Sequence, residues 1–382
     1  DEFLDAHFHL YFCDQISEIY KNYRRKSSVF YGPGIALYNY LLEEYFVVNK
    51  IPSGTLTTEN VMEYIESLKN CIKIWHIINY PADSSYNEEI VEYITKIHYL
   101  LMPRKANITR RFSAMQVDSH KVLLLSCLQH CRDDGVLLKF LKSFEKFLFL
   151  VIFIPFECLD GNYNMINLEV VDILKKLNRG DMVVSGVKEK IDKLVNALIA
   201  DENINRNIIL FYSKTGFYEG NFLRYFLCEY EISLQNMSKS HISKLDRDVY
   251  FGKGYDSIEH IYPQRARQQY WVDAFKPYSQ KQKHALRSSL GNFVAVSTIK
   301  NSRLANLPFP DKRDGKGNHI GYRYGTYAEI ELTEFENWGA DEILKRGLKL
   351  VNFLQNRWGY KIGNTKHDKI RFLGLNFLDK SK

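Results

Sequence analysis

Between residues 55 and 79, in TLTTENVMEYIESLKNCIKIWHIIN, apolar side chains return every three or four positions: Val61, Tyr64, Ile65, Leu68, Ile72, Trp75 and Ile78. That period belongs to an α-helix with one buried face, and Thr57 or Thr58 supplies its cap. The same rule accounts for SHKVLLLSCLQHC, GVLLKFLKSFEKFLFLVIFI, NLEVVDILKKLNRG and GVKEKIDKLVNALI, with Gly180 closing the third of these. Residues 1–240 therefore read as a helical scaffold domain. The aromatic-rich helices of this part are read most simply as core.

At 382 residues with 45% hydrophobic content, the chain can bury more than one core, and it has no low-complexity tract. The longest apolar run, FLFLVIFI at 147–154, is far shorter than the roughly 18 residues that span a bilayer, and it reads as a buried helix ended by Pro155. No membrane association is expected. The six cysteines are scattered, as suits reduced thiols in a cytoplasmic protein. Cys127, His130 and Cys131 have helical spacing, but no second ligand pair lies nearby, so they are read as a helix face rather than a metal site. There is no GxGxxG and no GxxxxGK[ST], so no recognisable loop cradles a nucleotide.

Near residue 240 the texture changes to short β-prone runs and Gly-rich turns, and a second domain is placed at 241–382. From 241 to 325 there are 15 Lys and Arg against 7 Asp and Glu, a balance of +8, while the whole chain carries only +7. All of the positive excess sits there. It is the footprint expected for a polyphosphate partner, or else a solvated basic face. A final helical pattern spans 339–358 and is expected to pack back on this domain.

The same stretch holds YDSIEHIYPQ and, about thirty residues on, LGNFVAVSTIKNSRLANLPF. The implied order is strand, loop, strand, short helix. Hydrolysis of a phosphodiester needs a neutral base for water and a divalent cation at the phosphate. His260 suits the base, with an unperturbed pKa of about 6.5. Glu259 and Asn301 offer the oxygen donors that Mg²⁺ or Mn²⁺ prefers. Neighbours on a regular strand point to opposite faces, so Glu259 and His260 share one centre only if the chain bends, for which Pro263 provides a place. Asn292 is expected to tie the connecting loop to backbone near His260 and so orient the imidazole.

EHIYPQ, LGN at Asn292, Asn301, Asn306 and FPDK ending at Lys312 together resemble the HNH (His-Me finger, ββα-metal) nuclease domain of the GmrSD-type modification-dependent restriction endonucleases. Trp338, Ile343, Arg346 and Trp358 extend the likeness more loosely, and FLRYFLCEYE at 222–231 is similar to the helix leading into that domain. The resemblance implies a mainly α chain with a small α+β domain: a helical N-terminal domain, then a ββα-metal domain and a C-terminal helix. It implies His260 as general base, Glu259 and Asn301 as metal ligands, and Asn292 in support.

DNA, including modified or phage DNA, is the partner implied, nicked or cut as part of a restriction defence, with SspE-type members sharing the layout. A ParB-like NTP-hydrolysing sensor half is expected to precede this piece. Arg303, Asn306, Lys312 and Arg313 are candidates for phosphate contacts; His284 and His319 are read as surface residues. This region has no Cys, so no structural zinc is expected. The alternative is a catalytically silent nucleic-acid-binding or protein-docking module of the same fold. Oligomeric state is left open.

Overall fold

The computed structural model describes residues 2–16, 18, 19, 21, 39–102, 110–159, 162–239, 245–255, 257–318 and 320–379. Within these the chain is mainly helical, with one two-stranded antiparallel sheet. It divides into two compact units, Asp1–Leu148 with Gly161–Val195, and Phe149–Asp160 with Asn196–Lys382.

The first unit is built from α1 (Glu2–Tyr11), α2 (Thr58–Asn79), α3 (Glu88–Leu101), α4 (Arg110–His130), α5 (Asp134–Phe153), α6 (Asn162–Asn178) and α7 (Val184–Ala200), the division falling within α5 and α7. Thr57 caps α2: its hydroxyl accepts from the N–H of Asn60, and Asn60 returns a bond to the N–H of Thr57 at 3.0 Å. The stripe on α2 is narrower than its spacing predicts. Tyr64, Cys71 and Ile78 are buried, one every two turns, while Ile65 and Ile72 are 37% and 51% exposed, because only one line of the helix meets its neighbours. Tyr64 joins Phe8 and Phe12 in an aromatic core, with Tyr11, Tyr40, Tyr45 and Phe46 packed against it. Gly180 closes α6 at φ 78°, and its N–H donates to Leu177. Cys127 is fully buried and His130 is exposed, its Nδ1 bonded to Ser126 of its own turn at 2.8 Å, as a helix face requires.

The second unit contains α8 (Glu202–Thr215), α9 (Leu223–Met237), α10 (Arg247–Phe251), β1 (Ser257–His260), α11 (Gln269–Ala274), α12 (Gln280–Ser288), β2 (Phe293–Val296), α13 (Thr298–Leu304), α14 (Phe309–Asp314), α15 (Tyr327–Glu331), α16 (Ala340–Trp358) and α17 (Lys366–Phe372). β1 and β2 pair antiparallel with Ser257 opposite Val296 and His260 opposite Phe293. All four residues of β2 are buried, which is why FVAV is apolar throughout instead of alternating.

The boundary expected near 240 falls inside this unit. Helix α9 belongs with the sheet because its buried carboxylates bind residues of α10, α15 and α16. Glu231 accepts from the N–H groups of Tyr327 and Ala328 at 3.0 and 2.6 Å, and Glu229 pairs with Arg247 and Arg357 at 2.9 and 3.0 Å. Residues 240–244, the polar stretch on which that boundary was placed, lie outside the described residues.

Helix α16 packs on the turn Leu290–Asn292 so closely that a Cβ on Gly291 would lie 2.0 Å from the carbonyl oxygen of Ile343. Only glycine fits there. Arg346, 1% exposed, donates to the carbonyls of Gly291 and Phe293 at 2.9 and 2.6 Å. Trp338, Ile343 and Trp358 are likewise buried, so these outlying positions of the resemblance build the core behind the turn.

Candidate active site

His260 ends β1, where the chain leaves the ladder, and the side chains alternate as a strand demands. Glu259 turns inward and is 4% exposed. There it accepts from Lys312 Nζ on α14 and from the hydroxyl of Tyr322 at 3.4 Å. His260 turns to the other side. Its ring packs edge-on to Phe293 at 4.9 Å and against Tyr218 at 4.5 Å, while Gln264 Nε2 lies 3.3 Å from His260 Nε2.

Asn292 is fully buried and uses its amide completely. Its Oδ1 accepts from the N–H of Tyr262 at 2.7 Å and from Trp338 Nε1 at 3.2 Å; its Nδ2 donates to the carbonyls of Tyr262 and Arg287 at 3.0 and 3.1 Å. The carbonyl of Asn292 also accepts from the N–H of Ile261 at 3.0 Å. The two residues after His260 are thereby fixed by one side chain and its backbone.

Lys312 is the second clasp. Its ammonium, wholly buried, donates to Glu259 Oε1 and to the carbonyls of His260 and Ile261 at 3.3 and 3.2 Å, so one charge gathers three consecutive residues. Burial pushes the Glu259 carboxyl up and the Lys312 ammonium down, and each partly offsets the shift of the other. Burial, with help from Lys312 and Arg287, lowers His260 to about 4, so the imidazole is neutral at pH 7.

Asn301, in the first turns of α13, donates from Nδ2 to Ser257 Oγ. Ser257 is three residues from His260, about 10 Å along an extended strand. Alternation puts Ser257 on the Glu259 face, so a carboxylate, a hydroxyl and an amide lie along one side of β1. These are hard oxygen donors of the kind Mg²⁺ takes. The polar groups of Glu259 and Asn301 are engaged with different partners, and among the described residues no three of His, Cys, Asp and Glu gather as metal ligands.

Of the four residues expected to meet phosphate, Arg303 and Asn306 are exposed. Asn306 also lends its carbonyl, with that of Leu307, to Trp271 Nε1 at 3.2 and 3.1 Å. Arg313 is bound to Asp314 and to the carbonyls of Phe335 and Glu336. Lys312 is a correction: an ammonium with no exposed surface and three internal oxygen partners works inside the domain. His284 is exposed as expected, and His319 lies outside the described residues.

Sequence reasoning missed Tyr218, which sits in a turn without motif, and the roles of Gln264 and Lys312, although both lie in the segments EHIYPQ and FPDK. A lysine at a fixed place after a Pro-started turn is as compatible with a buried partner as with a phosphate.

Residues 201–353 match the family model described as GmrSD restriction endonucleases, C-terminal domain. This segment is a GmrSD restriction endonuclease C-terminal domain. The GmrSD domain starts at α8, close to where the longer stretch of the second unit begins at Asn196, and takes in β1, β2, α13 and most of α16. Comparison with curated proteins found no match, and comparison with solved structures found none.

Proposed function

We propose that the chain is a metal-dependent DNA endonuclease or nickase whose GmrSD domain works as an HNH, ββα-metal nuclease, with His260 as the group that activates water. The carrying observation is that the backbone at and just after His260, at the end of β1, is held by Lys312 and Asn292 within a segment that matches the restriction-endonuclease domain model. The order β1, β2, α13 and the meeting of Asn301 with β1 support the ββα reading.

His260 removes the proton of a water molecule lying outside its ring. Asn292 fixes the chain just beyond it and Lys312 fixes the carbonyl of His260 itself, while the ring packs against Phe293 and Tyr218. Glu259 and Asn301, the residues that would hold Mg²⁺ or Mn²⁺, lie on the face of β1 away from His260 and are engaged with Lys312 and Ser257, so an ion shared with His260 would require them to leave those partners and the chain to turn past β1. When bound, such an ion supplies positive charge to the scissile phosphate and the leaving oxygen. Arg303 and Asn306 are exposed on and just after α13, and in this reading they meet phosphates of the DNA strand. No helix of the described residues is long and apolar enough to cross a membrane.

A second reading, a silent DNA-binding or docking module of this fold, is favoured by one observation. Glu259 is buried against Lys312. Incubating plasmid with the chain and Mg²⁺ or Mn²⁺, with and without EDTA, separates the two. The nuclease reading expects metal-dependent loss of supercoiled DNA; a gel shift with the plasmid intact in every lane favours the silent module.

A further inference from the structure

A cleft of about 420 Å³ opens beside α13, lined among others by Tyr255, Ile299, Lys300, Arg303, Tyr324 and Glu329. Its rim leaves in water side chains that a protein usually covers: Ile299 is 67% exposed and Tyr324 is 70% exposed. Arg303 is exposed too and makes no ion pair among the described residues. The cleft therefore offers an aromatic face and a free cation side by side.

Its floor carries an unmet hydrogen-bonding group. Glu329, only 1% exposed, accepts through Oε2 from Lys300 Nζ at 2.8 Å and from the N–H of Thr326 at 2.9 Å. Its Oε1 has no hydrogen-bond partner among the described residues. Buried carboxylate oxygens are normally satisfied; Oε1 lies beneath the cleft surface, so a donor from outside meets it only once the lining side chains part. The backbone is shaped to keep the carboxylate there: a Cβ on Gly325 would fall 1.4 Å from Glu329 Oε2.

An aromatic ring for stacking, a guanidinium for phosphate and a buried acceptor for an N–H together match one chemical class. Bases have a π-face and N–H groups on their pairing edge, and they come with a phosphate attached. A peptide supplies all three only where an aromatic residue stands beside an acidic one, whereas every nucleotide carries its base and its phosphate together. We propose that this cleft receives a single unpaired nucleotide of a DNA strand, its base lying on Tyr324, its edge N–H at Glu329 and its phosphate at Arg303. The inference rests on the DNA-cleaving reading for the nature of the strand, and it adds a subsite beside the helix that carries Asn301.

The test is binding of the full chain, in EDTA so that nothing is cut, to a short single-stranded oligonucleotide and to an abasic strand with the same number of phosphates, followed by fluorescence anisotropy. The parent is expected to favour the base-bearing strand by about tenfold, the order of one base–aromatic stack. Tyr324→Ala, at an exposed position that folding does not need, should erase that preference, and Glu329→Gln should narrow it. Arg303→Ala should weaken both strands alike and flatten the salt dependence.

A parent without preference for bases, or a Tyr324→Ala variant that keeps the parent's preference, overturns the proposal. Plasmid cleavage by the parent and His260→Ala is measured separately. Base preference without any cleavage sinks the nuclease reading and leaves the cleft, while His260-dependent cleavage with an unselective cleft does the reverse.

Discussion

Asn292 and Tyr262 are joined twice: the Asn292 side chain accepts from the N–H of Tyr262 at 2.7 Å and donates to its carbonyl at 3.0 Å. A side-chain amide thus bridges the two peptide groups that flank the Cα of Tyr262, two residues past His260. Asn292→Ala would leave the N–H of Tyr262, the indole N–H of Trp338 and two carbonyls without these partners in a dry interior. At roughly 1–3 kcal/mol for each unsatisfied buried group, partly relieved by relaxation, the loss should be about 3 kcal/mol or more. Urea unfolding followed by tryptophan fluorescence checks this, and an unchanged midpoint would show that the turn does not depend on Asn292.

Much of this arrangement was visible in the amino-acid order. The helices of the first 240 residues follow from their periodicity, and the support given by Asn292 to backbone near His260 follows from LGN standing a loop away from EHIYPQ. The exposure of Ile65 and Ile72 was not visible, since periodicity shows that a helix has an apolar side but not how wide a side its neighbours cover. The compact unit reaches upstream of residue 240, where composition changes and the chain becomes basic, because it is joined by the long-range bonds of Glu229 and Glu231. The same gap hid Lys312. A positive charge reads as surface until its three oxygen partners, two of them backbone, are seen around it.

Lys312 and Glu259 form a buried pair, so removing one partner strands the other's charge. Lys312→Met should cost about 3–5 kcal/mol, and adding Glu259→Gln to it should recover a large part of that loss. A double-mutant cycle from denaturation curves measures the coupling. Strictly additive losses would mean that the two groups act independently.

His120 on α4 sets a pH dependence that does not involve the site. It is 2% exposed, its ring meets Phe147 and Phe144 at 5.4 and 6.3 Å, and burial lowers it to about 4. Its folded pKa lies below its unfolded one, so the unfolded chain binds the extra proton first. The stabilisation is whole above about pH 6.5 and is lost as pH falls toward about 4, on the order of 3 kcal/mol for this one residue. His7, 0% exposed and also lowered to about 4 by burial, acts in the same direction. Denaturation at pH 7.5 and pH 5 should show the decline, and His120→Phe should make it shallower. Equal slopes for parent and variant would refute the assignment.

The central claim is that His260 activates water for metal-dependent strand cleavage. The direct measurement is the rate at which supercoiled plasmid is lost with Mg²⁺ or Mn²⁺ under single-turnover conditions, for the parent and for His260→Ala, after circular dichroism has shown that both are folded. A general base contributes about 10²–10⁴-fold, so the variant should be slower by at least about a hundredfold while binding the plasmid as the parent does. Cleavage by folded His260→Ala at the parent's rate would contradict the account.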